Sequence, residues 1–328
     1  MPVQMATLAL VIGNAMAGIE FQAAGDFYGH GGWIIVALPP AFRPTESMKP
    51  SLLSIADHSR DAAGMTYVYP VLSRRAGGVS IGINLNPNNA CNWRCIYCQV
   101  PGLVRGGPPP IDLVRLEAEL RQVLDQVLRG SFMQERVPAE ARRLVDLAFS
   151  GNGEPTSAAE FPAAVQLVQR VAADQALPDS VKLRLITNGS LLGRRQVQQG
   201  IARLGSDRGE VWFKLDAAAS ADFQRINGSR QRPDAVLARL RRCAGLCPTW
   251  VQTCCFALDG QAPSEAQVQA WLTLLAAAGT ALAGVHLYGL ARPSQQAEAG
   301  RLSALPASWL QALAERVATL GLTVSVNP

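Results

Sequence analysis

Cys91, Cys95 and Cys98 stand at CxxxCxxC spacing, with Tyr97 immediately before the last thiol. Three thiolates on one short loop can hold three irons of a [4Fe–4S] cube. The loop offers no fourth thiolate, so one iron would stay open to a small chelating ligand. The alternative is a zinc site, which needs a fourth ligand close by. No other Cys or His lies near in sequence, and His30, His58 and His286 are scattered along the chain. The spacing therefore favours a cluster over a single ion.

Other residues able to do chemistry fall just after apolar runs. Ser150-Gly151-Asn152-Gly153-Glu154-Pro155-Thr156 follows Leu144–Phe149, and its glycines would let backbone approach a ligand closely. Thr187-Asn188-Gly189-Ser190 follows another run and brings short polar side chains. Lys214 and Asp216 close a third, Val211–Leu215, where a lysine among Trp212, Phe213 and Leu215 needs a partner if it points inward. Asp216 is that partner, or both face a ligand. His286 and Tyr288 share one face of a later run and Arg292 lies just beyond it, so His286 and Arg292 are candidates for a substrate pocket. Cys243 and Cys247 have helical i,i+4 spacing. Cys254 and Cys255 are adjacent in an extended run and point to opposite faces. All four read best as buried structural thiols, with at most one of the last pair able to join a site.

The elements that must position these groups alternate. Strands are expected over Val79–Leu85, Leu144–Phe149, Val181–Ile186, Val211–Leu215, Trp250–Leu258, Val285–Leu290 and Leu322–Val326. Helices are expected from Asp112 to Gly130 and over Pro162–Val171, Val197–Leu204, Pro233–Cys243, a stretch opening at Ser264, and Ala307–Leu320. Strand–helix alternation at this pitch means about six βα units around a parallel sheet. Every candidate group falls at the C-terminal end of a strand. An open sheet binds at one switch point, whereas four successive strands contributing to one mouth favour a barrel-like wall.

The chain has 328 residues, enough for one large domain, and 48% of them are hydrophobic and 17% charged, which excludes a disordered chain. Its formal charge of +5 rests on arginine, since Lys49, Lys182 and Lys214 are the only lysines. That balance permits an RNA partner without requiring one. Seven cysteines with three clustered fit a reducing, cytoplasmic compartment, and no run is long enough for a membrane span. Residues 1–47 carry few charges and a short strand-like Ile34–Val36. They are either read through from upstream of a true start at Met48 or an ordinary N-terminal cap. Residues 1–66 are thus taken as an extension and 67–328 as the core.

The cysteine loop, the Gly151–Pro155 segment and Thr187-Asn188-Gly189 together resemble the radical S-adenosylmethionine (SAM) superfamily, over about Val79 to Pro293. Asn152 stands where the family more often has glycine. The resemblance implies an α/β fold, an incomplete (βα)6 TIM-like barrel. It implies a [4Fe–4S] cluster held by Cys91, Cys95 and Cys98. It also implies SAM bound near Tyr97, Gly151, Asn152, Gly153, Glu154, Pro155, Thr187, Asn188 and Gly189. A one-electron donor such as flavodoxin or ferredoxin would reduce the cluster. SAM would then be cleaved to methionine and a 5′-deoxyadenosyl radical that abstracts hydrogen from a substrate, with Lys214 and Asp216 as candidate catalytic groups.

A narrower resemblance is to the wyosine-synthetase-like group of Fe–S oxidoreductases. It rests on Ser73-Arg74-Arg75, Gly82-Ile83-Asn84-Leu85, Cys98-Gln99, Gly153-Glu154-Pro155-Thr156, Lys214-Leu215-Asp216-Ala217, Phe223 with Arg225-Ile226-Asn227, and Ala291-Arg292-Pro293. It makes RNA modification an alternative, with Arg74-Arg75 as a possible RNA contact. The wyosine enzymes carry a second, N-terminal cluster, and no cysteine precedes Cys91 in this sequence. A non-catalytic electron-transfer protein is the other alternative.

Overall fold

The structure is a computed structural model that describes residues 64–328, with short pieces at 11–12, 15–16 and 52–54. The chain divides into residues 1–47 and 48–328. Of the first unit only an antiparallel pairing of Val11–Ile12 with Ala15–Met16 is described. The expected strand at Ile34–Val36 and the question of Met48 lie outside the described residues.

The core is built on one eight-stranded sheet whose spatial order is its order in sequence. The strands are β1 (Val68–Ser73), β2 (Gly78–Ile83), β3 (Leu144–Phe149) and β4 (Lys182–Thr187), then β5 (Gly209–Lys214), β6 (Thr249–Cys254), β7 (Gly284–Tyr288) and β8 (Val324–Asn327). β1 and β2 form an antiparallel hairpin, and every later neighbour pairs parallel. Parallel strands need crossovers. Helices α1 (Leu113–Leu128), α2 (Phe161–Asp174) and α3 (Arg195–Gly205) supply the first three. Two helices, α4 (Ser220–Asn227) and α5 (Pro233–Ala244), lie between β5 and β6, and α6 (Glu265–Ala278) and α7 (Ala307–Ala318) complete the set.

Local sequence accounts for these elements. The Asp112 side chain caps α1 by accepting the N–H of Arg115 at 3.0 Å. Leu116, Leu120, Val123, Leu124 and Val127 recur at helical spacing and are all buried against the sheet. Each such side chain contributes about 2 kcal/mol of burial. Ser264 and Gln267 form a reciprocal capping box that starts α6. Apolar residues from these seven helices, from the short helix Phe132–Arg136 and from the sheet join one continuous core.

The sheet is curled into an incomplete barrel of βα units, as expected. Its two edges meet through a side chain: Arg74, in the turn after β1, donates to the carbonyls of Gly289, at 3.2 Å, and Pro328, beyond the ends of β7 and β8. Several features depart from the expected elements, among them the short helix Phe132–Arg136 and the pairing of Ala90–Cys91 with Val104–Arg105. The run Trp250–Leu258 is two strands, because Phe256–Leu258 leaves the sheet to pair antiparallel with Leu302–Ala304. The hairpin strand β1 and the helix α4 were not expected either, the latter too short to show a clear apolar period.

Candidate active site

The cysteine loop leaves the end of β2 and is held from three sides. The carbonyls of Asn227 and Ile226, in the last turn of α4, accept the N–H groups of Arg94 at 3.0 Å and Ile96 at 2.9 Å. Behind the loop, Ser294 Oγ donates to the carbonyl of Ile96 at 2.7 Å, and the N–H of Gln295 to that of Cys98 at 2.8 Å. Arg94 makes a two-point ion pair with Glu298. In front, the Asn188 side-chain amide donates to Asn92 Oδ1 at 2.9 Å, and Asn92 donates to Ser190 Oγ at 2.8 Å. Short segments after three separate strands thus fix the loop's backbone.

The two polar turns expected to hold SAM are tied to each other by Glu154, which is buried. Its Oε1 accepts the Thr156 N–H and the hydroxyls of Thr156 and Thr187, the last two at 2.6 Å, and its Oε2 accepts the N–H of Asn188 at 2.7 Å. Burial raises its pKa, against the pull of these donors. Both carboxylate oxygens are therefore spent on protein. Thr187 and Pro155 are buried and lie outside the cavity wall, as does Gly189. Gly189 has φ +67°, and an added Cβ would meet the Phe213 ring at 2.1 Å. Gly153 is required by close approach as well, since a Cβ there would lie 2.1 Å from the carbonyl oxygen of Ala90. Of the nine residues expected around SAM, Tyr97, Gly151, Asn152, Gly153, Glu154 and Asn188 do line the cavity.

Lys214 and Asp216 are brought together behind Tyr97. Lys214 Nζ donates to the Tyr97 hydroxyl at 2.6 Å, lies 4.8 Å from that ring's centroid, and is 3.8 Å from Asp216 Oδ2. Asp216 accepts the Tyr97 hydroxyl and, at 2.9 Å, the amide of Asn227, while its other oxygen accepts the Cys254 N–H at 3.1 Å. Asp216 is fully buried and outside the cavity wall, whereas Lys214 is part of it. Asp216 is thus Lys214's partner. Burial opposes the charge on Lys214, but Asp216 and its neighbours hold the ammonium well above its ordinary pKa.

Asn227 was visible in the sequence only as part of an Arg-Ile-Asn triplet. Its amide reaches both Asp216 and, at 3.3 Å, Cys95 Sγ. The signal that could have found it is the following Gly228, which ends α4 in the left-handed conformation and turns the chain beside the loop.

His286 does not line the cavity. It stacks on Trp250, with centroids 4.5 Å apart and planes 12° from parallel, and tilts against Trp212 at 4.6 Å. The face it shares with Tyr288 is the inner one, but its layer is filled by indole. Burial lowers its pKa to about 4. Arg292 does line the cavity, and its carbonyl accepts the Gln99 amide at 3.3 Å. Arg74 and Arg75 point to different places. Arg74 closes the barrel edge, and Arg75 reaches inside to donate to Gln252 Oε1, between the rings of Trp212 and Tyr288.

The cavity has a volume of about 300 Å³ and runs from the cysteine loop to the residues of β2 to β6 that face inward. Cys91, Cys95 and Cys98 share its wall, all as free thiols. Two of their sulfurs already face N–H donors: Trp93 N to Cys91 at 3.4 Å and Asn227 to Cys95 at 3.3 Å. Such donors stabilise thiolate charge in cluster sites. Among the described residues no three His, Cys, Asp or Glu side chains converge on a single metal ion. A cube places each thiolate on a different iron, so its ligands stand further apart than those of one zinc at about 2.3 Å. The donor set fits a cluster of the expected kind. Burial pushes Cys91 to about 11 and Cys95 to about 12, so binding iron must displace protons. Cys243, Cys247 and Cys255 belong to the apolar core, whereas Cys254 lines the cavity.

No family model matches the chain. It is 32% identical over 161 residues to a GTP 3′,8-cyclase of Xanthomonas campestris pv. campestris, covering 48% of this chain and 40% of the cyclase. The chain spans about half the length or less of the curated relatives it matches first. Among solved structures, TYW1 with a lysine–pyruvate adduct superposes with a TM-score of 0.52 at 16% identity, covering 75% of this chain and 74% of TYW1. A radical SAM methyltransferase of Sphaerobacter thermophilus gives 0.50 at 15%, covering 76% and 66%. At these identities the structural likeness is one of fold. No helix among the described residues is long and apolar enough to cross a membrane.

Proposed function

We propose that the chain is a radical SAM enzyme that binds a [4Fe–4S] cluster on Cys91, Cys95 and Cys98 and uses SAM to act on a small substrate in the barrel. The observation that carries this reading is the shared wall: three free thiols, the Gly151–Gly153 turn and Asn188 open onto one cavity. When bound, the cluster and SAM would supply one-electron cleavage of a sulfonium bond and hydrogen-atom abstraction.

The chain's own residues would hold and shield that chemistry. Trp93, Ile96 and Tyr97 are buried around the thiols with Phe256, which keeps water from the reacting centre. The turn Gly151–Gly153 presents backbone to the cavity, and Glu154 fixes its position relative to Asn188. Lys214 places a positive charge on the same wall. RNA modification remains the second reading, resting on the group resemblance and the basic balance, with Arg74 engaged at the barrel edge and Arg75 on the cavity wall.

The test is anaerobic reconstitution of the full chain with iron and sulfide, followed by dithionite and SAM. About four irons per chain and formation of 5′-deoxyadenosine are expected. Cys91→Ser, Cys95→Ser and Cys98→Ser should each lose iron, and Cys254→Ser should retain it. Full iron without 5′-deoxyadenosine would leave an electron-transfer protein instead.

A further inference from the structure

The charged groups along the cavity wall are nearly all answered by protein. Arg184 is ion-paired with Asp146 and Glu210. Lys214 lies beside Asp216, and Arg74 is engaged by two carbonyls. Arg75 is different. Among the described residues no ion pair joins it to an acid, and its hydrogen-bond partner is the neutral amide oxygen of Gln252, itself 1% exposed. Its guanidinium lies 4.8 Å from the centroid of Trp212 and 4.6 Å from that of Tyr288.

A half-buried guanidinium on a cavity wall without a paired acid lacks its counter-charge, and aromatic faces offset only part of that lack. The cavity is therefore furnished with a cation in search of an anion. Guanidinium is the side chain suited to bind carboxylate or phosphate through two parallel N–H bonds. The two rings hold the guanidinium in place on the cavity wall. A cavity of about 300 Å³ suits a small molecule and is too small for a folded RNA.

We propose that Arg75, flanked by Trp212 and Tyr288, is the recognition site for the anionic end of the substrate, a small acid bearing a carboxylate or a phosphate group. This rests on the cavity being the reaction chamber. It adds the substrate's chemical class and the residue that selects it. Arg292 adds a second positive charge to the same wall.

Calorimetric titration of the full chain with inorganic phosphate and, separately, with malonate tests the site and distinguishes the two anion types. It is read without SAM or reductant, so its result is independent of the 5′-deoxyadenosine assay. At least one anion should bind saturably to the wild type. Arg75→Gln should weaken it tenfold or more, and Arg75→Lys should weaken it less, keeping charge but losing the two-point geometry. Gln252→Glu sets an acid against Arg75 and keeps the residue's shape, so it should cause the same loss in a folded protein. The exposed Arg230→Gln should bind as the wild type does. Absence of saturable binding by both anions in the wild type overturns the proposal, as does unchanged binding in Gln252→Glu.

Discussion

Glu154 Oε2 accepts the backbone N–H of Asn188 at 2.7 Å, so a carboxylate after β3 fixes the turn after β4. Its other oxygen takes two hydroxyls and a further N–H. Removing it strands buried donors, at about 1–3 kcal/mol each for those that find no water. Glu154→Ala should lower stability by about 3 kcal/mol or more. Glu154→Gln should cost less, because one oxygen still accepts. Urea denaturation would show the order, and equal stabilities would remove the strap role.

Lys214 and Asp216 should behave as a coupled pair. Asp216→Asn leaves a buried ammonium short of its acid and should destabilise by roughly 3 kcal/mol. Lys214→Met alone leaves the buried Asp216 with its donors Tyr97, Asn227 and the Cys254 N–H. The double variant should recover about 1–3 kcal/mol relative to the sum of the singles. A cycle that closes with no coupling would show that the 3.8 Å contact carries no energy.

Gly153 and Gly107 make an internal comparison. An added Cβ at Gly153 would meet the carbonyl oxygen of Ala90 at 2.1 Å, one residue before Cys91, and backbone cannot give way cheaply. At Gly107 it would meet nothing within 4 Å. Gly153→Ala should therefore reduce iron bound per chain after reconstitution, and Gly107→Ala should not. Equal iron contents would show that the turn does not set the loop's position.

His286 should give the protein an acid-sensitive step in stability. Burial, with Arg75 and Arg184 nearby and Glu210 acting in the opposite sense, lowers its pKa from 6.5 to about 4. Below pH 6.5 the unfolded chain takes up the proton that the folded chain refuses. Stability from this group is thus fully present above pH 6.5 and is lost as pH falls towards 4. The whole effect is at most roughly 3 kcal/mol. Melting temperatures from pH 7 to pH 4.5 should fall less steeply in His286→Phe than in the wild type. Parallel curves would contradict the assignment.

Much of the fold was legible because local rules and the tertiary structure agree. Asp112 starts α1 and Ser264 starts α6 where their side chains can cap, and Leu144–Phe149 is a strand over the expected residues. The site was only half legible. Cys91, Cys95 and Cys98 announce themselves by spacing, but Thr187 shares the same strand-end signature as Asn188 and turns its hydroxyl to Glu154, outside the cavity wall. Sequence position tells which end of the barrel a residue occupies, as it did for Glu154 and Asn188, which line the cavity. It does not tell which way a short polar side chain turns once a neighbour can accept it.

By itself the sequence determined the alternation of strand and helix, the thiol loop and the end of the barrel on which it sits, because periodicity and spacing are local properties. Only the tertiary structure decided the fate of the buried charges. Asp216 lies with Lys214 and Asn227, His286 lies between indoles, and Arg75 enters the cavity facing a neutral amide. Each outcome depends on which groups from distant strands meet when the sheet curls, since a buried charge takes its character from its partners and not from its place in the chain.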